Sequence, residues 1–217
     1  MKLYGALLSP YVRKVAVFAT EKGIPYDFVQ GSPGSPDPAF VAASPFGKIP
    51  AIEDDGFTLA DSTAIALYLD ARYPQVPLVP EDPQLRGRAI FLDEFADTLL
   101  AGSGLKVLFN RLVGPKLLRV GGDEAVALQG EAELPRWFDW LENTVPDDGW
   151  LLGDMFSLAD ISVASVLRTL VYVKHPVDPA VRPRTAAWYA RVTARPAWAS
   201  VAAQEDVTAS RIMAMLD

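Results

Sequence analysis

Three short clusters of residues are spaced to do chemistry. Ser9-Pro10-Tyr11 stands where an apolar strand-like run gives way to a helical one. Serine before a first-turn proline is a preferred helix start: proline lacks the amide that would go unpaired, and the serine oxygen accepts from another. Ser9 is therefore expected to cap that helix, with its proton still available to an anion over the helix N-terminus. Gly47-Lys48-Ile49-Pro50 leads into a strand. Pro50 suits an ordinary edge-strand position, and equally a cis bond in a tight turn that would offer the main chain of Ile49 to an extended, peptide-like ligand. Lys48 reads first as a solvated cation. Asp61-Ser62 opens a second helix, and both residues are capping types. Their alternative use is recognition of an α-amino acid group, with Ser62 gripping the carboxylate at the positive end of the helix and Asp61 pairing with the ammonium.

The counts of other reactive residues exclude much. The 217-residue chain has no cysteine, one histidine and a formal charge of −7. No disulfide framework, cysteine nucleophile or thiolate metal site is available, and His175 alone cannot build a multi-imidazole zinc site, so no metal is expected. His175 lies in the loop-like stretch HPVDPAVRP, and no GxSxG elbow accompanies it for a serine triad. The acidic balance, without a basic patch, argues against nucleic acid and anionic membranes as partners. The apolar stretch ISVASVLRTLVYV is interrupted by Arg168 and is too short to span a bilayer. With no signal-peptide pattern at the N-terminus, the expected compartment is the cytoplasm.

The three clusters need elements to hold them. Lys2 to Leu7 reads as a strand, Pro10 to Lys22 as a helix with Val12, Val15, Ala16 and Ala19 on one face, and Tyr26 to Val29 as a second strand. The segment GSPGSPDPAF reads as an irregular loop. Ile49 to Glu53 and Phe57 to Leu59 form a hairpin around EDDG, and Asp61 to Arg72 is helical. A parallel crossover followed by an antiparallel hairpin, covered by helices, is the thioredoxin-like order. YPQVPLVPEDPQ then carries four prolines in twelve residues, the composition of an extended linker. Beyond it Leu85 to Leu112, Glu124 to Asn143, Ser157 to Val173 and Thr185 to Arg195 show helical spacing only, so the fold class is α/β plus all-α: a thioredoxin-like domain over 1–78, a linker over 79–84 and a helical bundle over 85–217.

Taken jointly, MKLYGALLSPYVRKV, SPFGKIPAIEDDG and FTLADSTAIALYLDARYP, followed by the proline linker and the helical half, resemble the soluble glutathione transferases. Phe156-Ser157-Leu158-Ala159-Asp160-Ile161 is similar to the capping box and hydrophobic staple of that family's second domain, a folding motif in which Ser157 caps the amide of Asp160, Asp160 reaches back and Phe156 packs on Ile161. The resemblance spans almost the whole chain.

It implies that the first domain binds glutathione as co-substrate and that Ser9 hydrogen-bonds the sulfur, as in serine-type, bacterial-like members, with Tyr4 and Tyr11 as competing hydroxyl donors. It places Pro50 in the cis-proline role, Ile49 against the cysteinyl part, Asp61 and Ser62 at the γ-glutamyl end and Lys48 near the glycyl carboxylate. The family commonly has glutamate before that serine, so the shorter Asp61 must reach the ammonium or use water. A hydrophobic electrophile is expected between the domains against Leu7, Leu8 and Tyr11, with Arg111 steering an anionic group. The implied activity is conjugation and detoxification by a homodimer. Thiolysis, dehalogenation, isomerisation or peroxide reduction would use the same thiolate, and a binding or scaffold protein would keep the fold without catalysis.

Overall fold

The computed structural model describes residues 1–214. Its first half holds β1 (Lys2–Gly5), α1 (Pro10–Glu21), β2 (Asp27–Gln30), α2 (Pro38–Ala43), β3 (Ala51–Asp54), β4 (Phe57–Ala60) and α3 (Ser62–Arg72). The four strands form one mixed sheet in the order β2-β1-β3-β4. β1 runs parallel to β2, pairing Leu3 with Phe28, and antiparallel to β3, pairing Leu3 with Ile52. β3 and β4 form the hairpin, with Ile52 opposite Leu59. This is the thioredoxin-like arrangement that the element order predicts.

The second half is helical: α4 (Pro83–Glu94), a π-helical segment Phe95–Leu100, α5 (Ala101–Leu108), a second π-helical segment Phe109–Leu118, α6 (Glu124–Thr144), α7 (Leu158–Tyr172), α8 (Pro183–Thr193) and α9 (Pro196–Ala214). The expected single helix from Leu85 to Leu112 is thus a chain of four pieces. It begins earlier, at Pro83, because the Asp82 carboxylate accepts from the amides of Gln84 and Leu85. In the second π segment Pro115 removes one ladder amide, and a wider turn accommodates its ring. The helix α9 goes beyond the sequence reading, which stops at Arg195. Pro196 looks like a terminator, yet it occupies the first turn of a new helix, where a missing amide costs nothing. Similarly, the loop reading of GSPGSPDPAF holds only as far as Asp37, which accepts from the Ala39 amide and starts α2 at Pro38. Residues 215–217 of the predicted helical domain lie outside the described residues.

α1 is the central element. Val12, Val15, Ala16, Val17, Phe18 and Ala19 are all fully buried, because the helix packs against β1 and α3 on one side and against α7 and α9 on the other. Covered on both faces, α1 also buries its two cations, Arg13 and Lys14. Buried charges survive only when paired. Arg13 is bound by Glu205 of α9 and donates to Thr169 Oγ1 at 2.9 Å, while Lys14 donates to Asp93 of α4 at 2.7 Å and to Asp97 at 2.6 Å. The helix that carries Ser9 at its start is therefore tied by ion pairs into the helical half.

The start of α7 is built as the capping box predicts. Ser157 accepts from the helix's first-turn amides, and the Asp160 carboxylate accepts from the Ser157 amide at 3.1 Å. Asp160 also receives the Leu151 amide and the Trp188 indole N–H, at 2.9 and 2.8 Å, so one buried carboxylate joins α7, α8 and the preceding turn.

Candidate active site

A cleft of about 1360 Å³ separates the ends of the strands from the helical half. One wall carries Ser9, Tyr11, Lys48, Ile49, Pro50, Asp61 and Ser62, so every residue assigned to the three clusters as a glutathione contact reaches the same space. The opposite wall comes from α4 to the second π segment and includes Asp97, Leu105, Leu108, Leu112 and Val113, with Tyr172 from the end of α7.

Ser9 sits at the N-cap position of α1 with φ −71° and ψ 128°, but its side chain makes no capping hydrogen bond. That corrects the expectation that it caps the helix. Pro10 has no amide, and the amides of Tyr11 and Val12 lack intrahelical acceptors by position, so the N-terminus keeps unsatisfied donors on the cleft side. The Ser9 hydroxyl has no hydrogen-bond partner among the described residues. The competing hydroxyls are committed elsewhere. Tyr4 is buried and donates to Glu53 Oε2 at 3.1 Å, outside the cleft, while Tyr11 donates to the Asp97 carbonyl at 3.0 Å. Burial pushes the Tyr11 phenol up to about 12, so it holds its proton at neutral pH.

The turn before β3 is fixed by Ser44, whose hydroxyl accepts from the Lys48 amide at 2.9 Å and donates to the Lys48 carbonyl at 2.7 Å. Gly47 supplies the φ of 63° that the turn needs. The Ile49–Pro50 bond is cis, and Ile49 lies ahead of the first paired residue of β3, Ala51. Lys48 has no ion-pair partner among the described residues.

Asp61 adopts a φ of 82°, a region that costs a non-glycine residue of the order of 1–3 kcal/mol. Its Oδ1 holds the turn by accepting from the amides of Thr63 and Ala64, at 3.0 and 2.9 Å, so Asp61 and not Ser62 is the cap of α3. Ser62 is buried and its hydroxyl points to Asp97 Oδ2 at 3.4 Å.

Asp97 is the site residue that sequence reasoning missed. It lies in the first π segment, 35 positions beyond Ser62, and nothing in its local pattern marks it. It reaches the cleft beside Asp61 and Ser62, and Lys14 holds it from below. Burial, opposed by Lys14 and reinforced by Asp93, pushes its carboxyl up to about 6. Asp61 and Asp97 together place negative charge at the start of α3.

Two assigned residues do not line the cleft. Leu7 is packed in the core, and Arg111 is captured by Glu124 and Glu131 of α6. The anion-steering role given to Arg111 is not supported by this placement. Leu8 and Tyr11 do line the cleft, as expected. Among the described residues no group of three His, Asp or Glu side chains is arranged to hold a metal ion, and no helix is long and apolar enough to cross a membrane.

A thioredoxin-like sheet domain is thus joined to a helical domain, with the start of α1 on the wall of the cleft between them. Residues 3–77 match the family model described as the glutathione S-transferase N-terminal domain, and residues 123–191 match the C-terminal domain. A glutathione S-transferase from Hyoscyamus muticus is 32% identical over 204 residues, covering 91% of this chain and 95% of that protein. The structure of a glutathione S-transferase from Rhodospirillum rubrum F11 aligns with a TM-score of 0.84 at 28% identity, covering 92% of this chain and 90% of its own. A glutathione S-transferase-I bound with lactoylglutathione aligns at 0.80 and 26% identity, covering 93% and 98%. The chain belongs to the glutathione S-transferase family and is an enzyme of that kind.

Proposed function

We propose that the chain conjugates glutathione to a hydrophobic electrophile, with the thiolate held by Ser9. The observation that carries this reading is the Ser9 hydroxyl, uncommitted on the cleft wall at the start of α1 while the hydroxyls of Tyr4 and Tyr11 are spent on Glu53 and Asp97. The unit over residues 1–78 binds glutathione. Its cysteinyl part lies along Ile49 and Pro50, and its glycyl carboxylate lies toward Lys48. The γ-glutamyl carboxylate meets the start of α3 at Ser62, and its ammonium lies between Asp61 and Asp97. The lactoylglutathione held by a structural relative supports a ligand of this class in the cleft.

A free thiol titrates near about 8.5, and the thiolate is the nucleophile. Ser9 donates a hydrogen bond to the sulfur, which favours its ionised form, and the thiol proton leaves to solvent. The sulfur then attacks the electrophilic carbon: an S–C bond forms, and the bond to the leaving group breaks and takes its electron pair. Ser9→Ala removes a charge-assisted hydrogen bond of about 1.5–3 kcal/mol, so turnover at neutral pH is expected to fall roughly tenfold to a hundredfold while glutathione affinity changes little. Steady-state kinetics with chlorodinitrobenzene and calorimetry with glutathione measure the two. Unchanged turnover sinks the assignment.

We also propose a homodimer in the cytoplasm. Phe46, Phe57 and Leu67 in the first half and Phe91, Leu99 and Leu128 in the second are exposed large apolar side chains, which supports an interface that uses both halves.

A further inference from the structure

We propose that Arg111 is a positioning residue that latches the π-helical segment Phe109–Leu118 onto α6, and that this latch fixes the outer wall of the electrophile's half of the cleft. The proposal rests on the reading of the cleft as a site for glutathione and an electrophile.

The segment contributes Leu112, Val113, Leu117 and Leu118 to the cleft, yet only Leu112 and Gly114 within it are buried. It contains Pro115, which removes a ladder amide, and it ends at Arg119 in the left-handed region with φ 57°. Neither core burial nor a continuous α-ladder therefore holds it. The hold comes from the returning chain and from Arg111.

Beyond Leu118 the chain folds back along the segment. A Cβ on Gly122 would lie 1.8 Å from the Asn110 carbonyl oxygen, and one on Gly114 would lie 2.4 Å from the Gly121 carbonyl oxygen. The Val120 amide donates to the Gly114 carbonyl at 3.0 Å, and the Asp123 amide donates to Asn110 Oδ1 at 2.9 Å. Next to Asn110, near the start of the segment, is Arg111. Its Nε and Nη2 donate to Glu124 at 3.2 and 2.6 Å, and its Nη1 and Nη2 donate to Glu131 at 2.5 and 2.9 Å. The planar guanidinium thus forks onto two carboxylates a little under two helical turns apart on α6, a geometry a lysine cannot reproduce. Glu131 also meets His175 Nε2 at 2.6 Å, and His175 follows Tyr172, which lines the opposite part of the same cleft wall. One carboxylate on α6 therefore joins both chain segments that bound the apolar space. The hydrogen bonds from Arg111, and then that with His175, hold the Glu131 carboxyl below the usual range.

The test compares Arg111→Ala, Arg111→Lys and Glu131→Gln with the parent enzyme. Three readouts are taken: glutathione affinity by calorimetry, KM and kcat for chlorodinitrobenzene, and amide exchange along the chain. Arg111→Ala is expected to leave the glutathione dissociation constant within about twofold and raise the electrophile's KM roughly threefold to fivefold, the size that an exposed ion-pair network supports. Amide exchange accelerates over 109–122 and not over α1 or the sheet. Arg111→Lys falls between parent and alanine, and high salt moves the parent's KM toward the variant's. Equal exchange over 109–122 in parent and variant overturns the latch, as does a KM for both substrates that rises together with a general loss of stability. If Arg111→Ala does not fold, Glu131→Gln, which keeps the Glu124 half, is read in the same way. A parent enzyme that binds no glutathione contradicts the functional reading alone, and the exchange comparison still decides the latch.

Discussion

In the proposed mechanism two small effects act in the same direction at Ser9. Lowering a thiol by roughly two pH units needs about 2.7 kcal/mol. A hydrogen bond to a charged sulfur supplies about 1.5–3, and an open helix N-terminus about 0.3–1. The missing capping bond at Ser9 therefore helps: a serine whose oxygen does not accept from its own helix leaves the first-turn amides available to the ligand. Asp97 carries the opposite cost. Its carboxyl titrates near about 6 in the folded chain, above the ordinary 3.8. The native state therefore holds this proton more tightly than the unfolded chain does. The group destabilises the fold fully above pH about 6, and that penalty fades as the pH falls toward 4. Asp97→Asn should accordingly remove this group's contribution to the change of Tm between pH 4 and pH 6, while weakening glutathione binding. Calorimetric scans of parent and variant across that pH range check this, and the same pH dependence of Tm in both contradicts it. Because an ammonium ligand needs the ionised carboxylate, glutathione affinity of the parent should also decline as the pH drops below about 6, a decline that Asp97→Asn flattens.

At the scale of elements, what was legible in the sequence follows from local rules. The three clusters announced themselves because prolines and capping residues mark the places where strands end and helices begin, and these are the points that face the cleft. Asp97 and the buried pairs of Arg13 and Lys14 were illegible for the converse reason. Their partners lie far away in the chain, and a charged residue on a helix reads as solvent-facing until a second layer is known to cover it. The π segments, α9 and the latched position of Arg111 share this dependence on tertiary context. The box at the start of α7 was legible in part: the reciprocal Ser157 and Asp160 bonds follow from spacing, whereas the Trp188 and Leu151 donors do not. Ser157→Ala is expected to cost about 1–2 kcal/mol, the value of a cap. Asp160→Ala strands several buried donors and should cost at least about 3 kcal/mol. Urea unfolding of the two variants measures the difference, and equal losses would mean that Asp160 acts only as a cap.

At the scale of the molecule, α1 couples the two halves. It starts at Ser9 on the cleft wall and is clamped by Glu205, Asp93 and Asp97 of the helical half, so the helix bearing Ser9 cannot shift without breaking buried ion pairs. Assembly belongs to this scale too. Sedimentation equilibrium at micromolar concentration is expected to give the dimer mass, and Phe46→Ser, at an aromatic 85% exposed in the single chain, should weaken the dimer at least roughly tenfold. A monomeric parent contradicts the dimer. With no cysteine in the chain, the only sulfur able to form a thiolate is the one glutathione brings, so its ionisation can be followed without interference from enzyme thiols. The central claim is that Ser9 lowers the pKa of that thiol, and the direct measurement is an ultraviolet titration of thiolate in the bound complex. The parent should show a thiol pKa of about 6.5, and Ser9→Ala one close to the free value of about 8.5. The same pKa in both proteins would contradict the account.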